Sequence, residues 1–206
     1  MVCGIRKSFH LPAMQRYGDA VVSAGVGTIC LLMILGTLFA SGNTDWFYHP
    51  ASDALWRGLV AQLIHLDVAH LLANLALLLS LWLAARYLGL AIRLLPVLLF
   101  CALMVSVGLR FEHAPLAWYV GLSGALYGLA AWLLLEYVRL ASSGTGCLCA
   151  YLVFLAMTLK IVLGASPAFL AIQVAHSAHL YGFIAGIMYT LVLPANSDHL
   201  RRRMPV

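Results

Sequence analysis

Six runs of apolar residues, each about the length of a bilayer crossing, dominate this chain. They lie near 20–40, 68–88, 91–109, 118–138, 147–164 and 172–193, and most of the charge falls in the tails and turns around them. A spanning helix needs about 20 apolar residues, so six of them use most of the 206 available. The run from Ala20 to Ala40 is longer than the core of about 7–15 residues in a cleaved signal peptide, so it counts as a helix. Pro96 falls in the first turns of the third run, where a missing N–H matters least, and Pro194 closes the sixth. The expected architecture is an all-α polytopic membrane protein with six transmembrane helices. Residues 1–19 form a tail, 20–193 the membrane domain and 194–206 a basic tail.

Composition narrows the function classes. Only 9% of residues are charged and 64% are apolar, against about 25% charged in a soluble domain. That excludes a cytosolic enzyme, a disordered binder and a disulfide-stapled secreted domain. The net charge of +5 does not point to nucleic acid, because the basic residues form no stripe interleaved with aromatics. Cys3, Cys30, Cys101, Cys147 and Cys149 are odd in number and sit mostly inside apolar runs. They make neither a disulfide framework nor a paired metal motif and are expected to be packing residues.

The basic residues instead set orientation. Arg6, Lys7, Arg16, Arg86, Arg93, Arg139, Arg201, Arg202 and Arg203 fall on one side of the six-span arrangement, against Arg57, Arg110 and Lys160 on the other. The positive-inside rule then places both termini in the cytoplasm.

Against so apolar a background, intramembrane polar residues are candidates for function. The stretch Trp56-Arg57 is followed by His65, His70 and Asn74. His70 and Asn74 share one helix face, and the pair either ties helices together or aims two donors at a developing negative charge. A metal site from His65, Asp67 and His70 is a weaker alternative, since the histidines are five apart and lack an HExxH pattern. Gly121-Leu122-Ser123-Gly124 opens the fourth run, and Gly124 with Gly128 also reads as a helix-packing G-x-x-x-G. His176 and His179 open the sixth run, with Gly182 and Gly186 on the stripe of His179.

Topology brings these together. With the N-terminus inside, the second, fourth and sixth spans begin on the outer side, so Asn74, Ser123 and His179 lie at one depth. A serine needs a base to attack, and an imidazole can serve. Ser123 and His179 are therefore the expected catalytic dyad. The Ser123 backbone N–H, His70 and Asn74 are candidate oxyanion donors, and no third acidic member is expected. No metal or cofactor is expected.

The combination resembles the rhomboid intramembrane serine proteases. That family's pattern has Trp-Arg in the first outer loop, H-x-x-x-N on the second span, G-x-S-G opening the fourth and A-H-x-x-G-x-x-x-G on the sixth. Trp56-Arg57, His70/Asn74, Gly121–Gly124 and Ala178-His179 with Gly182 and Gly186 match in order and spacing. His65 and Tyr127 stand where many members carry a histidine and a tyrosine beside the catalytic histidine. The resemblance covers roughly residues 20–193. It implies a six-helix rhomboid bundle that cleaves single-span membrane substrates near their outer end, with the lipid bilayer and no nucleic acid as partner. A bare six-helix form of about 200 residues with a Tyr119-Val120-Gly121-Leu122-Ser123-Gly124 opening is most similar to the bacterial rhombosortases, which trim C-terminal Gly-Gly sorting tails from exported proteins. A general bacterial rhomboid and a catalytically inactive binder of membrane helices are the alternatives. The implied location is the bacterial cytoplasmic membrane, with the site opening to the periplasm. The first outer loop, about 41–67, is expected to be short with few strongly amphipathic residues.

Overall fold

A computed structural model of the chain describes residues 13–40, 43–112, 117–141, 144–164 and 176–194. Those residues form seven α-helices, namely α1 (Ala13–Ala40), α2 (Leu55–Ala61), α3 (Val68–Tyr87), α4 (Ala91–Arg110), α5 (Ser123–Leu140), α6 (Thr145–Gly164) and α7 (His176–Val192). All but α2 are 17 to 28 residues long and stand where the six apolar runs are expected. Stretches within α1, α3, α4 and α6 are long and apolar enough to cross a membrane. Of the other two, α5 carries Glu136 and Arg139 in its last turns and α7 has 17 residues.

Two boundaries differ from expectation. Helix α1 begins at Ala13 rather than near residue 20, so it runs back through part of the expected tail, because a helix does not stop where apolarity stops. Helix α5 begins at Ser123, not near 118, because the residues before it are held in another conformation. Residues 172–175 of the expected sixth span, most of both expected tails and Cys3 lie outside the described residues.

Helix α5 is the centre of the bundle. Its Ala125, Leu126, Leu129, Ala131 and Trp132 are fully buried, as are Leu78 on α3 and Leu94, Val97 and Cys101 on α4. The exterior is also apolar, with Phe39 on α1, Leu83 on α3, Ile92 on α4, Leu155 on α6 and Leu191 on α7 exposed. A bundle that is apolar inside and out suits lipid, where the hydrogen bonds of each helix satisfy its own backbone. Apolar helices and exterior together make this a membrane protein.

The connection between α1 and α3 is held by specific hydrogen bonds. Asn43 caps a short 3-10 turn at Thr44–Trp46 by accepting the Asp45 N–H at 2.9 Å. Helix α2 buries its small residues, Gly58 and Ala61, and leaves the apolar Leu55 and Trp56 exposed. Arg110 at the end of α4 donates to the carbonyls of Pro50 at 2.7 Å and Asp53 at 3.3 Å. Asp67 then caps α3, its carboxylate accepting the His70 N–H at 2.7 Å.

Candidate active site

Ser123 is placed by the five residues before its helix. Tyr119 pairs with Tyr48 through two backbone hydrogen bonds of 2.8 and 3.1 Å, an isolated antiparallel bridge. The Gly121 N–H then donates to the Ala61 carbonyl at 3.1 Å, and the Tyr119 hydroxyl donates to the Gly121 carbonyl at 2.7 Å. Gly121 takes φ +100°, a conformation that glycine adopts without a Cβ penalty. A Cβ there would also fall 2.6 Å from His70 Cε1. The imidazole of His70 therefore lies directly on the Gly121 backbone. The first helical bond joins the Leu126 N–H to the Leu122 carbonyl at 3.0 Å. The N–H groups of Ser123, Gly124 and Ala125 consequently have no acceptor within the helix. They form the positive end of the α5 dipole.

His179 meets Ser123 from α7. Its Nε2 is 2.9 Å from Ser123 Oγ, within the reach a general base needs. The contact depends on backbones that touch. A Cβ on Gly182 would overlap the Gly124 carbonyl oxygen, and one on Gly186 would overlap that of Gly128. In return, a Cβ on Gly124 would press on the Ala178 carbonyl and one on Gly128 on that of Gly182. The four glycines thus form a reciprocal seam with no side chains between α5 and α7. The Tyr127 ring stacks on His179, with centroids 4.3 Å apart and planes 15° from parallel. That stack fixes the imidazole plane, and His179 is buried. An apolar cavity of about 530 Å³ between α3, α5 and α6 begins at Tyr127 and is lined by Leu77, Leu81, Leu133 and Met157.

The remaining sequence candidates separate into two groups. Of His70, His65 and Asn74, it is His70 that lies against the turn, with His65 packed on its ring and Asn74 one helical turn further along α3. The rings of His65 and His70 meet edge to face at 4.9 Å, and His65 Nδ1 lies 3.3 Å from the Thr37 hydroxyl. Burial first, and the neighbouring His70 second, push the His65 pKa down to about 4. Asn74 is buried on α3 and donates to the His70 carbonyl at 2.9 Å. Trp56 and Arg57, by contrast, organise the outer connection. The Arg57 guanidinium pairs with Asp53 at 3.2 Å, donates to the Asp45 carbonyl and lies 5.9 Å from the Trp56 ring centre. His176 sits 6.5 Å from His179, ring centre to ring centre, at 83°. It is His179 that faces Ser123.

For several residues at the site the sequence gives no sign of the contacts they make. Tyr48 and Tyr119 are both buried and hold the turn, yet they are 71 positions apart. Gln62 is buried against α4. Lys160, which in the sequence counts only toward topology, places its ammonium 5.4 Å from the Tyr127 ring centre. These contacts are long-range, and nothing in the local pattern announces them.

A hydroxyl hydrogen-bonded to an imidazole at the open N-terminus of a helix can attack a carbonyl and stabilise the oxyanion that forms. Residues 52–196, 145 of the 206 positions, match the family described as Rhomboid domain. No curated protein shows a significant match. The matched region includes the Ser123 turn, the glycine seam and the α3 histidines, and with it the chain belongs to the rhomboid family, whose members include intramembrane serine proteases.

Proposed function

We propose that the chain is an intramembrane serine endopeptidase in which Ser123 is the nucleophile and His179 its base. The observation that carries this reading is the 2.9 Å Ser123–His179 contact, buttressed by the Tyr127 stack. Ser123 Oγ attacks the scissile carbonyl carbon as its proton passes to His179 Nε2. The oxyanion is held by the Ser123 backbone N–H, with His70 and Asn74 as further donors. When the intermediate collapses, the C–N bond breaks, His179 returns the proton to the leaving amine and an ester remains on Ser123. Water, deprotonated by His179, then hydrolyses that ester and restores the serine.

The substrate is a single-span membrane protein cut near the outer end of its span. All six long helices cross the membrane, with both termini cytoplasmic and the site open to the periplasmic side of a bacterial inner membrane. The nine-to-three division of Lys and Arg supports this orientation. Within the family, the Tyr119–Gly124 opening favours a rhombosortase that removes Gly-Gly sorting tails. A fluorophosphonate probe should label the wild type and not Ser123→Ala, and equal labelling of both would sink the nucleophile assignment. For the finer reading, a reporter ending in a Gly-Gly motif, an apolar span and a basic end should be trimmed. Equal trimming after the Gly-Gly pair is replaced by bulky residues would favour a general rhomboid.

A further inference from the structure

Gln62 ends α2 and is 1% exposed, with a buried polar side chain wedged against α4. Its Nε2, with two hydrogens to give, lies within hydrogen-bond distance of three acceptors, the Ala102 carbonyl at 2.9 Å, the Ser106 hydroxyl at 3.1 Å and the Gly58 carbonyl at 3.2 Å. Two of these acceptors are carbonyls with no proton to offer, so the amide nitrogen must face them. Ser106 Oγ itself donates to Ala102 at 3.1 Å, which leaves its lone pair for Gln62. Helix α2 also approaches α4 closely here, since a Cβ on Gly58 would lie 2.6 Å from Ser106 Oγ. The side chain therefore fixes the last turn of α2 in both distance and rotation.

That turn is in direct contact with the Ser123 turn. The carbonyl of Ala61, joined to Gln62 by one peptide unit, accepts the Gly121 N–H at 3.1 Å. Gly121 in turn carries the positive φ and the His70 contact that set where α5 starts. Rotating the 61–62 peptide moves the acceptor that orients Gly121. It would then redirect the Ser123 N–H two residues on.

We infer that Gln62 is a positioning residue for the Ser123 turn, tying it to α4 through the Ala61 carbonyl. It touches neither substrate nor the reacting atoms, and it acts on catalysis through Gly121. The inference rests on the serine-protease reading of Ser123.

The test measures fluorophosphonate labelling rate and peptide-bond cleavage per folded molecule in bilayer nanodiscs. Gln62→Leu should lower both the labelling rate and kcat about tenfold or more with KM unchanged. Ser106→Ala leaves both carbonyl bonds of Gln62 in place and should stay within about twofold of wild type. Gln62→Glu presents oxygen to two carbonyls and should be slow at neutral pH. It should recover relative to wild type as the pH falls and the protonated acid donates to one of them. If Gln62→Leu does not fold, this pH-dependent recovery decides the matter alone. A folded Gln62→Leu enzyme with wild-type labelling rate and kcat, or a Gln62→Glu enzyme with no recovery in acid, overturns the inference while Ser123 still labels. An unlabelled wild type overturns the nucleophile reading and this one together.

Discussion

Ser123 contributes one hydroxyl to the fold, and its removal leaves no buried group without a partner except one imidazole nitrogen. Ser123→Ala should therefore lose at least about 10³-fold in cleavage while melting within a few degrees of wild type in detergent. His179→Ala should be equally inactive. His176→Ala should keep substantial activity, because its ring stands to the side of His179 rather than on Ser123. Asn74→Ala removes one donor of several, and a loss of about 10²-fold in kcat is expected. His65 offers a test of a different kind. Its folded pKa of about 4 lies below the ordinary 6.5, so the unfolded chain takes up the proton first as the pH falls. Stability should decline from about pH 6.5 toward pH 4. His65→Gln should flatten that part of a melting-temperature profile, and an unchanged slope would remove His65 as its source.

At the scale of elements, the seam between α5 and α7 is where small residues matter most. Gly182→Ala and Gly186→Ala place a methyl on a backbone carbonyl and should each destabilise by about 1–3 kcal/mol, with loss of cleavage as the dyad opens. Gly27→Ala on α1 is the matched control, since a Cβ there meets nothing within 4 Å. It should be neutral or stabilising by up to about 1 kcal/mol. Denaturant titration in micelles would separate the two cases. The seam was legible in the sequence because Gly124, Gly128, Gly182 and Gly186 repeat at helical spacing, and Ser123 and His179 lie beside that repeat. The start of α5 was not legible. Residues 118–122 are apolar enough to extend the fourth run, and hydropathy cannot see the Gly121 φ or the Tyr48–Tyr119 bridge. Gln62 was equally hidden, because its partners lie 40 and 44 positions away.

For the whole molecule, orientation is the expectation most open to a direct check. Reporter fusions after residue 206 should fluoresce in the cytoplasm and lack periplasmic phosphatase activity, and the opposite pattern would invert the proposed topology. Polytopic folding was visible from composition alone because lipid imposes a demand that few sequences meet. How the helices pack was visible only at the glycines.

The late start of α5 also acts as a ruler. From Arg139, in the last turn, to Ser123 is about 24 Å at 1.5 Å per residue, while a hydrocarbon core is about 30 Å thick. If Arg139 lies at the cytoplasmic edge, as the proposed orientation requires, the serine stands about 6 Å short of the opposite one. A helical substrate aligned with α5 is then met about four residues inside its apolar span. Lengthening α5 by one turn at its cytoplasmic end would move the cut toward the outer surface by about the same number of residues.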